Sequence, residues 1–377
     1  MTLPPNQRLL WGAIASCECV GAGTIRRFFT HGLSAEAVWK ANARTLEETG
    51  MKESARQRFL RWRADFDIGH FEAQLAKDEI RIVLRSDEDY PLALNTIYDP
   101  PEVLFVRGRL PPPRPSIAVI GTRAPTDYGL HVLERLLGPV FEAGIPIISG
   151  LALGIDGLAH TAALAHSVYT CAVLGSGVDA TSVYPSRNKT LANNILTQGG
   201  GLVSEFPPGW HPRPESFPIR NRIIAGMVQA VVVIEATTDS GTLITARLAL
   251  EAGREVLAVP GSIWSTKSAG THQLIRSGAR LCAEASDIFE ALQLDRVESC
   301  AQAQATLPLT PDERTLYEEL TSPQGADELS RALLWPIGRV SQALTLLELK
   351  QFVVRLPNQE WGRAEALICH TPRSSVH

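Results

Sequence analysis

Five short apolar runs, each followed by glycine or a small hydroxyl residue and then by a helical pattern, constrain the fold of this chain most strongly. The runs are rich in Val and Ile, as buried parallel strands are, and the small residues after them suit tight strand-to-helix loops. We therefore predict an α/β fold, an extended Rossmann-like doubly wound sheet. The five stretches are "SIAVIGTRAPTDYG", "IPIISGLALGIDGLAH", "TCAVLGSGVDATSVYP", "AVVVIEATTDSGTLITARLALEAG" and "EVLAVPGS".

Two smaller domains are predicted to flank this core. The first 70 residues space apolar side chains three and four apart, which indicates a small all-helical domain. Its "VGAG" turn is typical of a helix-hairpin-helix or of a plain helix turn. The stiff proline cluster "LPPPRP" further along indicates a boundary.

The C-terminal part begins with a polar, alanine-rich linker after about residue 295. Thr310, Pro311 and Glu313 then occupy the N-cap, N1 and N3 positions of a capping box. Two more helices and a strand-turn-strand pattern follow, so a winged helix is expected. The predicted domains are residues 1–70, 71–295 and 306–370.

Composition excludes several classes of protein. The chain has 377 residues with 45% hydrophobic and 20% charged residues, and it contains no apolar run of 18 residues and no signal-peptide pattern. We therefore expect a cytoplasmic protein without a membrane segment. Its six cysteines include no CxxC pair, so no metal site is expected. The net charge of −4 means that any nucleic-acid binding must depend on a local basic patch.

Four predicted strands end in loops that offer bare backbone N–H groups and small hydroxyls at the start of a helix, which suits an anion. In an open parallel sheet these loops share the carboxyl edge, where ligands bind. Four such loops along one edge favour a polyanion, although glycine also simply permits sharp turns. The predicted contacts are Gly121, Thr122 and Arg123; Ser149 and Gly150; Gly175 and Gly177; and Ser240, Gly241 and Thr242.

Nucleotide cofactors and catalysis are not expected. The stretch "LGSGVDA" has Ala180 where a dinucleotide fingerprint needs its third glycine, and "GSIWSTKS" has Thr266 where a P-loop needs glycine. Asp156 and His160 lie one helical turn apart, but no nucleophile elbow or metalloprotease motif accompanies them. We predict no catalytic residue and no cofactor.

Basic and aromatic residues are interleaved from Tyr184 to Arg222. Cations hold phosphates and aromatic rings stack on bases, which are the two needs of a single-strand binder. A solvated arginine rim over a packed aromatic core is the alternative. The residues concerned are Arg187, Lys189, Arg213, Arg220 and Arg222, with Tyr184, Phe206, Trp210 and Phe217.

Seven motifs in order resemble the bacterial DNA-processing protein A (DprA, or Smf) family. The resemblance covers residues 71–290 and extends less specifically to both flanking parts. It implies a non-enzymatic protein that binds single-stranded DNA, forms a homodimer and loads the recombinase RecA during natural transformation. The motifs are "VIGTRAPTDYG", "IISGLALGIDGLAHTAAL", "VLGSGVDATSVYPSRN", "SEFPPG", "FPIRNRIIAG", "EATTDSGTLITARLALEAGREVLAVPG" and "GTHQLIRSGA".

The resemblance also implies contact residues. Arg123 is the expected phosphate contact, the basic residue after Tyr184-Pro185 is Arg187 or Lys189, and the Phe217–Arg222 motif includes Asn221. Pro214 stands where several relatives have a lysine, with Arg213 beside it. On an extended segment alternate side chains face opposite ways, so one of Arg220 and Arg222 is expected to point inward.

Two alternatives to this assignment remain. The stretch "SGTLITA" loosely resembles the phosphate loop of nucleotide-processing phosphoribohydrolases, whose arginine and glutamate would be Arg247 and Glu251, although these are also an ordinary i,i+4 pair. A winged helix can instead read duplex DNA. Its third helix offers only Arg339, Gln342 and Lys350, which favours a protein-contact role.

Overall fold

The structure is a computed structural model that describes residues 5–294, 310–320, 323–349, 352–355 and 360–363. Lys350, one of the three polar residues considered for duplex readout, lies outside these ranges. The chain divides into two compact units, and the division falls after Leu292. Within the described ranges, no helix has the length and hydropathy needed to cross a membrane.

The first unit begins with six helices that pack on two strands. These helices share one apolar cluster with the two strands, and the cluster includes Trp11, Phe28, Phe59, Ile82 and Phe105. Because α6 runs through residue 70, a separately folding domain of residues 1–70 stays a prediction. The elements are α1 (Pro5–Ala15), α2 (Ala22–Thr30), α3 (Ala35–Lys40), α4 (Ala43–Glu48), α5 (Glu53–Asp65), α6 (Ile68–Lys77), β1 (Ile80–Leu84) and β2 (Val103–Gly108).

The rest of this unit alternates strands and helices, as the sequence pattern predicts. All five apolar runs form strands, and a further strand, Gly201–Ser204, which the pattern did not reveal, joins them. The elements are β3 (Ile117–Ile120), α7 (Asp127–Glu142), β4 (Ile147–Ser149), α8 (Ile155–Ala165), β5 (Thr170–Val173), α9 (Lys189–Thr197), β6 (Gly201–Ser204), α10 (Ser216–Gly226), β7 (Ala230–Val233), α11 (Gly241–Glu251), β8 (Glu255–Ala258), α12 (Ala269–Arg276), β9 (Arg280–Leu281) and α13 (Ala285–Ala291).

The nine strands form one mixed sheet in the order β1-β2-β6-β5-β4-β3-β7-β8-β9. The seven strands from β6 to β9 in this order are parallel, while β2 pairs antiparallel with β6, placing Phe105 opposite Ser204. Strands before and after the proline cluster thus lie in one sheet. The boundary predicted at "LPPPRP" is wrong, because this segment connects two strands of the same sheet.

Both faces of the sheet are buried, which explains the unbroken apolar runs. Ile82 and Leu84 pack with the helices of the N-terminal part, whereas Val83 between them packs with α10 and the strands on the opposite face. The doubly wound Rossmann-like core is therefore confirmed.

The second unit has its own apolar cluster around Leu316, Leu329 and Leu344. The predicted capping box is present: Glu313 N–H donates to Thr310 Oγ1, and Thr310 N–H donates to the Glu313 carboxylate. Three helices and an antiparallel pair of strands confirm the winged helix. They are α14 (Pro311–Glu319), α15 (Ala326–Leu333), α16 (Ile337–Leu349), β10 (Val353–Arg355) and β11 (Trp361–Arg363).

Candidate functional site at the carboxyl edge of the sheet

The order of the strands creates a crevice between β3 and β7. From β3 the chain builds outward through β4, β5 and β6, and it then returns to β7 on the other side of β3. Loops leaving β3 and β7 diverge at such a switch point, where ligands of doubly wound sheets bind. A cavity of about 310 Å³ opens here, called the central cavity below. Its lining includes Gly121, Thr122, Arg123, Phe217, Arg220, Asn221, Ser240, Gly241 and Thr242.

The loop after β3 holds Arg123 at the mouth of the central cavity. Thr122 N–H donates to the Glu235 carbonyl at 2.8 Å, and the Thr122 carbonyl accepts from Ile155 N–H at 3.2 Å. With the backbone fixed on both sides, the exposed Arg123 guanidinium carbon lies 5.9 Å from the centre of the Phe217 ring. The site therefore combines a cation and an aromatic ring.

The loop after β7 provides a helix N-terminus on the opposite wall. Ser240 is the N-cap of α11 and accepts from Thr242 N–H at 3.1 Å, while Thr242 Oγ1 donates to the Gly121 carbonyl at 3.1 Å. Gly241 is exposed in the first turn. The N-terminus of a helix attracts anions because its N–H groups lack partners within the helix.

The predicted contact residues in the loops after β4 and β5 are buried. Ser149 Oγ donates to the Val119 carbonyl at 2.6 Å, and Gly150 N–H donates to the Asp156 carboxylate at 3.1 Å. Gly177 N–H donates to the Trp210 carbonyl at 3.0 Å, and Gly175 is also buried. At these two loops the structure favours the alternative interpretation, in which small residues allow close packing.

The Phe217–Arg222 motif is helical, not extended, since it lies in α10. Residues two positions apart on a helix are separated by about 200° around its axis, so Arg220 and Arg222 still face opposite ways. The two arginines face opposite ways, as expected, but the reason is the geometry of a helix and not that of an extended segment.

Arg220 points inward and ties two strand ends together. It is only 6% exposed, and its guanidinium donates to the carbonyls of Gly150, at 2.7 Å, and Val173. Its Nε donates to Asn221 Oδ1 at 3.1 Å. A Cβ on Gly150 would lie 2.7 Å from the guanidinium, so this approach requires glycine. Arg220 therefore supports the floor of the central cavity.

Arg222 is occupied by an ion pair on the other side of α10. Its Nη2 contacts both Glu205 oxygens, at 2.8 and 2.7 Å, and lies 3.6 Å from Asp99. The Arg222 side chain is 14% exposed, and burial raises the pKa of Glu205. Both arginines of the motif thus have internal partners, and the geometry favours a structural role for each.

A buried polar layer, defined as Ser149, Gly150, Asp156, His160 and Arg220, borders the central cavity, and two of its members, Asp156 and Arg220, line that cavity. Burial raises the pKa of Asp156, lowers that of His160 to about 3 and lowers that of Arg220 to about 10. His160 Nδ1 pairs with Thr170 Oγ1 at 2.6 Å, while Nε2 is buried without a partner. Both Asp156 and His160 are thus buried, and of the two only Asp156 lines the cavity.

Arg187 and Lys189 lie near a second cavity, next to the first. This cavity of about 490 Å³ runs between α8 and α9, and Arg187 and Asn188 are among its lining residues. Arg187 is exposed, whereas the half-buried Lys189 donates to the Thr181 carbonyl at 3.1 Å. Asn188 Nδ2 donates to the carbonyls of Leu151 and Ala152, which joins the loops after β4 and β5.

The interleaved basic and aromatic patch is divided between two places. Phe217 and Tyr184 lie 6.0 Å apart near the central cavity. Phe206 and Trp210 stack on each other away from it, and Arg213 lies over the Trp210 ring and pairs with Glu18 at 2.6 Å. Arg213 therefore does not supply the missing lysine at the central cavity.

Lys267 is a basic residue at this edge that the sequence analysis missed as a contact. Its Nζ donates to the Ala124 carbonyl and lies 3.4 Å from Thr122 Oγ1. The signal was available, because Lys267 follows β8 at the same edge as the glycine loops. The stretch around it resembles a P-loop, which drew attention away from the lysine itself. Arg247 and Glu251, considered for phosphoribohydrolase chemistry, are exposed on α11 outside the lining of the central cavity.

Comparison with known families agrees with this architecture. Residues 81–293 match the family model described as DNA recombination-mediator protein A, and residues 301–359 match the DprA winged helix domain. The chain belongs to the DNA recombination-mediator protein A (DprA/Smf) family. The resemblance found in the motifs is thereby confirmed, and membership places the chain among DNA-processing recombination mediators rather than among enzymes.

Relatives match over long segments. The chain is 36% identical over 347 residues to Protein Smf of Escherichia coli (strain K12), covering 89% of this chain and 90% of the relative. It is 43% identical over 209 residues to DNA processing protein DprA of Bacillus subtilis (strain 168), covering 55% and 69%.

Two solved structures share the fold. The X-ray structure of DprA from Streptococcus pneumoniae has a TM-score of 0.64 and 32% identity over 77% of this chain and 98% of that one. DprA from Helicobacter pylori, described for its single-stranded DNA binding mode, has a TM-score of 0.51 and 28% identity over 58% and 97%.

Proposed function

We propose that this protein binds single-stranded DNA along the carboxyl edge of its sheet, with a backbone phosphate held in the central cavity. One observation carries the proposal: the exposed Arg123 faces the N-terminus of α11 across the switch-point crevice. Two sources of positive potential converge there on a space of about 310 Å³. The binding mode described for the Helicobacter pylori relative supports the choice of ligand.

The predicted contacts then fall into three groups. Gly121, Thr122, Arg123, Ser240, Gly241 and Thr242 hold phosphate, and Phe217 supports a base. Arg187 and Lys189 extend the path toward the second cavity. Ser149, Gly150, Gly175, Gly177, Arg220, Asn221 and Arg222 shape the loops from beneath or beside the cavity.

The fuller role proposed is that of a cytoplasmic homodimer that loads RecA onto single-stranded DNA during natural transformation. Family membership supports this role.

The winged helix, residues 306–370, would bind a partner protein within this role. Analytical ultracentrifugation tests the dimer. RecA loading predicts a shorter lag of RecA filament growth on single-stranded DNA, and an unchanged lag would contradict it.

The binding proposal is tested by titrating fluorescent oligo-dT, duplex DNA and RNA with the full chain. We expect the single-stranded DNA to bind most tightly, without added cofactor. R123A should weaken that binding by roughly 10- to 100-fold, the value of one charge-assisted hydrogen bond. R276A is the matched control, because this exposed arginine ends α12 toward the opposite edge. Equal losses in both variants would contradict a specific role for Arg123.

A further inference from the structure

The loop that follows β8 presents two large apolar side chains to solvent at the same edge of the sheet. Trp264 is 90% exposed and Ile263 is 80% exposed. Their neighbours Ser262 and Thr266 are exposed and polar. An exposed tryptophan among polar residues is a single stacking surface rather than a broad apolar interface.

This exposure occurs in an ordered loop. Ser265 N–H donates to the Ser262 carbonyl at 3.0 Å, Ser268 N–H donates to the Ser265 carbonyl at 3.1 Å, and Trp264 N–H donates to Ser262 Oγ at 3.3 Å. The two ends of the loop touch, since a Cβ on Gly261 would lie 2.1 Å from Ser268 Oγ. The indole is thus held in solvent by a fixed backbone, which reduces the entropy lost when it binds a ligand.

The loop is also fastened to the proposed phosphate site. Lys267 Nζ contacts the Ala124 carbonyl and lies 3.4 Å from Thr122 Oγ1, next to Arg123. Lys267 and Trp264 are three positions apart in the chain, so their Cα atoms are at most about 11 Å apart. The indole therefore lies within the reach of a few nucleotides from a phosphate held at Arg123.

We propose that Trp264 stacks on an unpaired base of the bound strand, one step beyond the central cavity on the β8 side. Bases stack on aromatic faces with little sequence preference, and Trp offers the largest face. Lys267 and Arg123 supply the positive charge that brings the phosphate backbone to this tip. The inference rests on the proposed function and adds to it a separate contact, which the family motifs do not include.

The experiment compares W264A, W264F and wild type in binding to oligo-dT and to an abasic strand of equal length. On oligo-dT, W264A should bind roughly 5- to 100-fold more weakly, and W264F should recover much of that loss. On the abasic strand the three proteins should bind equally, because no base is left to stack. The salt dependence of W264A should match wild type, since stacking releases no counterions.

Two controls separate this inference from the function on which it rests. L92A removes another exposed apolar side chain, in a cavity lined by residues that precede β3 and β7 at the opposite edge, and should bind as wild type. R123A reports on the phosphate site alone. If R123A weakens binding but W264A equals wild type on oligo-dT, the stacking inference is overturned and the proposed function stands. If wild type does not bind oligo-dT, the proposed function fails first.

Discussion

Two arginines that line the central cavity, Arg220 and Arg123, differ in their surroundings: the first is buried and the second is exposed. In the buried polar layer, the Arg220 guanidinium donates hydrogen bonds to the carbonyls of Gly150 and Val173 and is shielded from solvent. At the exposed edge above, Arg123 has its guanidinium in solvent beside the Phe217 ring. Under the proposed function, Arg220 would be required for DNA binding without contacting DNA, because it holds in place the loops that border the central cavity.

The largest effect expected from this comparison is on stability. R220A would remove the donors to two buried carbonyls and the positive charge that opposes the burial-induced rise in the pKa of Asp156. We expect a loss of about 2–6 kcal/mol in unfolding free energy, because each of the two buried carbonyls left without a donor costs about 1–3 kcal/mol. Hydrogen exchange of the β4 and β5 amides in the full chain measures it. R123A should change stability by less than about 0.5 kcal/mol. Equal stability of the two variants would remove the distinction.

The second-largest effect is expected from lowering the pH, which should reduce the unfolding free energy through the buried His160. His160 has an ordinary pKa of 6.5 that falls to about 3 in the folded protein, because burial disfavours the imidazolium. A lowered folded-state pKa contributes stability above pH 6.5 that is lost as the pH falls toward 3. Between pH 8 and pH 5 the histidine should cost about 2 kcal/mol.

The measurement for His160 compares urea unfolding of wild type and H160Q at those two pH values. H160Q lacks the titrating group, so its stability should fall by about 2 kcal/mol less than that of wild type. The raised pKa of Asp156 acts in the opposite direction, and it does so in both proteins. Parallel pH profiles would show that His160 does not titrate between the folded and unfolded states in this range.

The smallest effect is expected from removing residues 300–377. In the described part of the winged helix, Arg339 is paired with Asp312 at 2.8 and 2.6 Å and lies 4.2 Å over the Trp335 ring. An arginine engaged in this way is poorly placed to read bases. Duplex affinity should therefore change by less than about threefold, or 0.7 kcal/mol. A large loss of duplex affinity would assign DNA readout to the winged helix.

The sequence predicted the architecture better than the exposure of individual residues. Apolar runs and the capping box at Thr310 are local signals, so the parallel strands and the winged helix followed from them. The strand "GLVS" was missed because it begins with glycine and follows two more glycines, so that Leu202 and Val203 are its only large apolar residues. Its pairing with β2 also places the strands on both sides of the proline cluster in one sheet.

Which motif residues face solvent is decided by long-range partners. Arg222 pairs with Glu205, which lies 17 positions away in the chain. Arg220 donates a hydrogen bond to the carbonyl of Gly150, which lies 70 positions away. Lys267 reaches Ala124 over 143 positions, which no spacing rule reveals. Residue type and order therefore indicated where the site lies, while the division into contact and support required coordinates.

The salt dependence of single-stranded DNA binding tests the central claim most directly. Each phosphate neutralised on a single strand contributes about 0.7 to the slope of log K against log salt concentration. The account predicts that R123A flattens the slope by about 0.7, whereas R222A leaves it unchanged because that guanidinium already pairs with Glu205. A flattened slope for R222A together with an unchanged slope for R123A would contradict it.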